Sequence, residues 1–162
     1  MGLGTVEKSR KYYLSISDGK VVHREDGKEE TYSYVEGSLV AVYKRERTFK
    51  GETVLYWYVD VRGEKGELYS ISLPYKSGTF KSIVLALASE QAIALSTVKI
   101  EPYKNGDFTK VVVSSNGRRL DWITKELPAV EELRIAGQIV KDDTKRMAYI
   151  ESLVETINNR LK

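Results

Sequence analysis

Apolar residues recur along this chain in an order that few folds accommodate: three alternating runs, a short run at helical spacing, two more alternating runs, and an amphipathic helix at the end. Leu39, Ala41 and Tyr43 alternate with Val40, Val42 and Lys44, Lys50-Gly51 breaks the run, and Thr53 to Val61 resumes it. Gly63-Glu64-Lys65-Gly66 separates that strand from Leu68 to Leu73, which Pro74 ends because proline cannot donate to a strand ladder. From Ser77 the period changes. Phe80, Ile83, Val84, Leu87 and Ala88 share one helical face, Ser77 and Thr79 are candidate caps, and Ser89-Glu90 closes the run. Thr97 to Tyr103 and Phe108 to Ser114 are joined through Asn105-Gly106, residues that tolerate the positive φ of a tight hairpin. Asn116-Gly117 leads into a short extension ending at Trp122.

Strand, strand, strand, helix, strand, strand is the chain order of a five-stranded Greek-key barrel of the oligonucleotide-binding (OB) type. The expected fold is therefore mainly β, with an OB-type barrel over residues 31–123 and a short helix between its strands 3 and 4. Residues 1–30 are expected to form an N-terminal hairpin and loop: Tyr12 to Ser17 and Val21 to Arg24 flank Asp18-Gly19, and Glu25 to Glu30 reads as a loop. Residues 124–162 form a C-terminal helical extension. The chain is helical or irregular after Pro128, and from Asp142-Asp143 onward Met147, Ile150, Leu153, Val154, Ile157 and Leu161 make one apolar stripe. That stripe has to dock on the barrel or on a second subunit.

A chain of 162 residues, 41% hydrophobic, supplies one core without needing a second. The sequence has no cysteine, which removes disulfides and thiolate metal sites and fits a reducing cytosol. No apolar run reaches the roughly 20 residues of a membrane span, and the first residues lack a signal-peptide core. A soluble cytoplasmic protein is expected. His23, the only histidine, has no second imidazole beside it for a metal site. Asp142-Asp143 and Glu131-Glu132 read as acids at helix starts, and Gly2-Leu3-Gly4 lacks the third glycine of a phosphate loop. No cofactor, metal or enzymatic activity is expected.

Charge is informative by location. The formal net charge is only +3, and basic and acidic side chains balance after residue 128. The excess sits at two hairpins: Lys44, Arg45, Arg47 and Lys50 face only Glu46, while Lys99, Lys104, Lys110, Arg118, Arg119 and Lys125 face Glu101, Asp107 and Asp121. In an OB-type barrel these hairpins carry the loops that flank the binding face. Single-strand grooves combine such charge with rings on which bases stack, and this chain has eleven tyrosines and two tryptophans. Alternation puts Leu55, Trp57, Val59 and Val61 on the interior face of the second strand and Tyr56, Tyr58, Asp60 and Arg62 on the outer one. Tyr75 and Tyr103 lie near strand ends, where exposure is expected.

The segment Val54 to Asp60, the helix after Ser77, and the hairpin from Val98-Lys99-Ile100-Glu101-Pro102-Tyr103-Lys104-Asn105-Gly106 to Val113 resemble phage-type single-stranded DNA-binding proteins of the OB fold. The resemblance covers residues 31–123. It implies non-sequence-specific binding of single-stranded DNA, with RNA a near neighbour, in support of replication or recombination, in the host cytoplasm if the protein is phage-encoded. The candidate binding residues are Lys44, Arg45, Arg47, Lys50, Tyr56, Tyr58, Arg62, Tyr75, Lys99, Tyr103, Lys104, Arg118 and Arg119. Many such proteins recruit partners through an acidic C-terminal tail. Asn158-Asn159-Arg160-Leu161-Lys162 is not acidic, so the terminal helix is expected to serve homo-oligomer contacts instead. The alternative is a β-barrel interaction or assembly module that binds no nucleic acid.

Overall fold

The computed structural model describes residues 11–89, 97–124 and 126–161; Gly2-Leu3-Gly4, Glu90 and Lys125 lie outside them. Strands β1 (Lys11–Ser17), β2 (Lys20–Glu25) and β3 (Lys28–Tyr32) form one meander, and β4 (Val35–Phe49), β5 (Glu52–Arg62) and β6 (Leu68–Pro74) form a second. Helix α1 (Gly78–Ala88) follows, then β7 (Val98–Asn105), β8 (Phe108–Ser115) and the short β9 (Arg118–Arg119). A hairpin, β10 (Glu131–Ile135) and β11 (Gln138–Asp142), precedes the C-terminal helix α2 (Thr144–Arg160). The described residues are mainly β with two helices, the second near the C-terminal end, as the patterning indicates. Among the described residues, no helix is long and apolar enough to cross a membrane.

The first nine strands make one sheet in the order β3-β2-β1-β6-β5-β4-β7-β8-β9, and β10-β11 stand apart. The ladder does not close. β1 runs parallel to β6, pairing Tyr12 with Tyr69 and Leu14 with Ile71, so it occupies the edge through which a returning β8 would complete a five-stranded ring. β8 pairs instead with β7 and β9. Close packing joins β2 to β7 across the gap, and the Gly19 amide donates to Thr109 Oγ1 at 3.1 Å. Gly19 has φ +72°, and a Cβ there would lie 2.7 Å from the Lys104 amide nitrogen, so the turn can approach β7 this closely only as glycine.

Turn chemistry explains two elements that patterning missed. Asp26-Gly27 takes φ +52° and +75°, so the polar stretch expected as a loop contains a tight turn and continues into the exposed edge strand β3. Ala136-Gly137, at φ +52° and +80°, likewise joins β10 to β11, which puts Glu131-Glu132 in a strand and not at a helix start. At the β7–β8 hairpin, Gly106 has positive φ and Asn105 pairs with Phe108, making the loop Gly106-Asp107.

The core lies between the sheet and α1. Ser77 Oγ accepts the Phe80 amide at 3.2 Å, capping the helix as expected. Its other end is buried, and the carbonyls that a helix C-terminus leaves unpaired are all met: Leu85 by the Ile123 amide at 2.9 Å, Ala86 and Leu87 by the Ser89 amide, and Ala88 by Arg160. Trp57 stacks on Phe80 at 4.6 Å and on Tyr75 at 5.5 Å, and its Nε1 donates to the Tyr75 carbonyl at 3.0 Å.

β4 carries the architecture's main irregularity. Its register against β5 slips between Leu39 and Ala41, so Leu39 and Val42 both turn into the core and the expected strict alternation fails there. β7 pairs with β4 only at Val35 to Gly37. Beyond that point α2 covers the strand: Asn158 Oδ1 accepts the Val42 amide at 3.0 Å, and its Nδ2 donates to the Val42 carbonyl at 2.7 Å. A side-chain amide thus takes the place of a strand neighbour. Met147, Ile150, Leu153, Val154 and Ile157 are buried, so the apolar stripe docks within its own chain, largely on α1 and β4. Asn158→Ala is expected to cost about 1–3 kcal/mol, because it leaves both Val42 backbone groups without their partner. Urea denaturation would measure this, and an unchanged midpoint would show the bridge to be dispensable.

Candidate functional site

Residues that pair across a ladder share a face. The β4–β5 register pairs Tyr43 with Tyr58, Arg45 with Tyr56 and Arg47 with Val54, all on the face opposite Trp57 and α1. There the Arg45 guanidinium lies 5.1 Å from the centre of the Tyr43 ring, and that of Arg47 lies 4.7 Å from the Tyr56 ring. Tyr43 and Tyr58 stack at 5.4 Å, 16° from parallel. Such cation–ring contacts keep the guanidinium groups close over the rings of this face. The result is a row of alternating cations and rings running toward the Lys50-Gly51 turn.

The row ends in a buried polar patch. Asp60 pairs with Ser70 across β5 and β6, and neither Asp60 Oδ1 nor Ser70 Oγ has a hydrogen-bond partner among the described residues. From β1, Lys11 reaches this region and sits 5.1 Å from the Tyr13 ring centre. Burial lowers the Lys11 pKa, but Tyr43, Asp60 and Tyr13 outweigh it, and the net shift is upward. Lys11 is therefore a firm cation at neutral pH.

This arrangement keeps part of the expected site together and separates the rest. Arg45, Arg47, Tyr56, Tyr58 and Arg62 share the face. Tyr58, however, is only 9% exposed, so it supports the Tyr43 ring and does not itself offer a surface. Tyr56 is half-buried, and Arg62, at the end of β5, donates to the Gly66 carbonyl at 3.3 Å. Leu55, expected in the interior, is 37% exposed because it lies toward the Lys50-Gly51 turn, beyond the core.

Lys44 and Tyr75 are on the other side of the sheet. Lys44 pairs across from Trp57 and forms an ion pair with Glu151 of α2. Its ammonium also lies 5.8 Å from the Tyr75 ring, which stacks on Trp57. Burial first, then Glu151, raises the Tyr75 pKa, so this tyrosine is a neutral packing residue. Lys50 is in the turn, over the exposed Phe49 ring.

The second basic cluster is separate. Lys99 projects outward from β7 to the Tyr34 ring at 4.3 Å, with Glu101 3.9 Å away. Tyr103 and Lys104 are exposed at the end of β7, and Arg118 and Arg119 form the exposed β9. β7 runs antiparallel to β4 from their junction at Val35 to Gly37, which carries its hairpin away from the Lys50-Gly51 turn. None of the described contacts joins the two clusters.

Patterning missed Tyr43, Tyr13 and Lys11. The signal for Tyr43 was present: counting outward from the two-residue Lys50-Gly51 turn pairs Tyr43 with Tyr58 and Arg45 with Tyr56. Tyr13 and Lys11 carried none, because nothing local says that β1 will lie parallel to β6. No protein-family model, no curated protein and no solved structure matches this chain.

Proposed function

We propose that this protein binds single-stranded nucleic acid, DNA in the first instance, without sequence specificity, through the outer face of β4 and β5. One observation carries the proposal: two arginines each set over a tyrosine ring on one strand hairpin, with one of those rings stacked on a further tyrosine. Every base has a π-face, so a ladder of guanidinium planes and rings suits any sequence, while the same charges neutralise phosphates. Arg45 and Arg47 would take backbone and base faces, Tyr43 and Tyr56 the stacking, and Lys11 and Arg62 the far end of the strand. In this reading β4 to β8 with α1 form an OB-type unit whose closing position is filled by β1. Its role would be that of a cytoplasmic strand-sheathing protein in replication or recombination, not an enzyme.

Replacing Arg45 and Arg47 together by glutamine should weaken oligothymidine binding by about tenfold or more and flatten the salt dependence by about 1.4 log units per log unit of salt. Lys44→Gln should leave both unchanged, since Lys44 points to the opposite side of the sheet and is ion-paired with Glu151 of α2. If Lys44→Gln has the larger effect, the binding face is the other one. The β7–β9 cluster is tested in the same way with Arg118→Gln and Arg119→Gln.

A second reading, assembly without nucleic acid, has its own support. Leu133, Ile135, Ile139 and Val140 are exposed on the β10–β11 hairpin, as are Trp122 and Ile123 nearby in the chain. Exposed apolar groups of this density mark contact surfaces. Sedimentation at rising protein concentration separates the readings, because assembly through the hairpin predicts self-association that Ile135→Lys with Ile139→Lys abolishes.

A further inference from the structure

On the face of the sheet that carries Trp57, between the N-terminal meander and the start of β4, opens a cleft of about 790 Å³. Four tyrosines, Tyr12, Tyr32, Tyr34 and Tyr69, line it above an apolar floor of Leu14, Val21 and Val35. Tyr12 and Tyr69 stack at 5.4 Å as one wall. Tyr32 donates its hydroxyl to Glu30, and the Tyr69 hydroxyl is hydrogen-bonded to Glu67. A phenol that donates to a carboxylate has a more electron-rich ring, and such rings attract cations over their faces. The protein's own Lys99 already places an ammonium over Tyr34.

Charge selects the same class of guest. Glu36, Glu64 and Glu67 line the cleft against Arg62 and Lys65, so its wall holds one more acid than base. The Tyr32 pKa is raised by its bond to Glu30, and that of Tyr69 by burial and then by Glu67, so both rings stay neutral. We propose that this cleft binds an alkylated ammonium group, with its methyls against the tyrosine rings and its charge balanced by the surrounding glutamates. The group could belong to a free small molecule of the choline type or to a methylated lysine side chain, which present the same chemistry. Of the residues assigned to the β4–β5 face, only Arg62 also lines this cleft.

The test is calorimetric titration of the full chain with choline, with its uncharged isostere 3,3-dimethylbutan-1-ol, and with a short peptide carrying one trimethyllysine, alongside the same peptide unmethylated. Expected is saturable binding of at least one trimethylammonium probe, about tenfold tighter than its control. The tighter of choline and peptide identifies the source. Tyr32→Ala should weaken that binding at least fivefold. Tyr32 is 47% exposed on an edge strand, so an unchanged melting temperature is expected to accompany the loss. Glu30→Gln, which keeps the ring, should give a smaller loss. Equal affinity for cation and isostere, no binding of either cation, or full binding by Tyr32→Ala overturns the proposal. Oligothymidine binding should be unaffected by choline, so failure here leaves the β4–β5 proposal standing, and the reverse.

Discussion

A chain ended after Lys141 is expected to lose its cooperative thermal transition. Removal of α2 strips Ile150 and Ile157, both fully buried, and the nearly buried Met147, Leu153 and Val154 from the core, and uncovers what they pack against. At roughly 1.5–3 kcal/mol for each fully buried side chain of this size, the five represent about 7–15 kcal/mol. That is as large as the roughly 5–15 kcal/mol by which a whole domain is stable. The loss is compounded at Val42, which gives up both bonds to Asn158, and at the Ala88 carbonyl, which gives up Arg160. Scanning calorimetry with near-ultraviolet circular dichroism would register it. A truncated chain that melts at the temperature of the full one would show α2 to be an appendage.

Trp57→Ala is expected to cost about 3–5 kcal/mol of stability, the upper end for a single core substitution. Trp57 is 2% exposed and sits between two aromatic neighbours, and its indole N–H is spent on the Tyr75 carbonyl, so alanine leaves both a cavity and an unpaired acceptor. Because Trp57 faces away from Arg45 and Tyr56, binding per folded molecule should not change. Tyr56→Ala should do the opposite: about 1–3 kcal/mol of lost oligonucleotide affinity with most of the stability kept. Tyr58→Ala groups with Trp57 in this comparison, since its ring is covered. Chemical denaturation and binding measured on the same preparations separate the two kinds of loss. Tyr56→Ala melting early while binding normally would remove the stacking role from this face.

Much of the fold was legible because local chemistry dictates it. Lys50-Gly51 and Asp18-Gly19 adopt the positive φ values their hairpins need, Ser77 caps α1, and the stripe from Met147 to Ile157 is buried as its spacing requires. Where the reading failed, the deciding contact was remote or the local signal was atypical. The parallel docking of β1 on β6 rests on pairs more than fifty residues apart, and it is this contact that takes up the edge a closed barrel needs. The slip at Val40 changes which residues of β4 face inward, and alternation alone carries no sign of it. Composition did not mark β3 as a strand, since Lys28, Glu29 and Glu30 have neither β-branching nor an apolar face. Ala136 is a poor turn former, and β10–β11 was missed with it.

The same division runs through the candidate site. Arg45, Arg47 and Tyr56 fall together because strand alternation and a short turn fix their face. Lys44 differs from Arg45 by one position, which is enough to put it on the opposite side with Glu151. A basic cluster counted along the chain therefore overstates the charge that any one face presents. Burial of Tyr58 and Asp60 does not follow from alternation, which gives the face a residue takes and not how far that face is covered.

The central claim is that phosphates and bases are held by the cation and tyrosine row on β4 and β5. Titration of a fluorescent oligothymidine with the unmodified protein across a series of salt concentrations tests it most directly. The account predicts saturable binding whose log affinity falls linearly with log salt, by about 0.7 for each phosphate contact, and so by about 2 or more if Arg45, Arg47 and Lys11 all engage. Absence of binding at the lowest salt, or an affinity indifferent to salt, would contradict it.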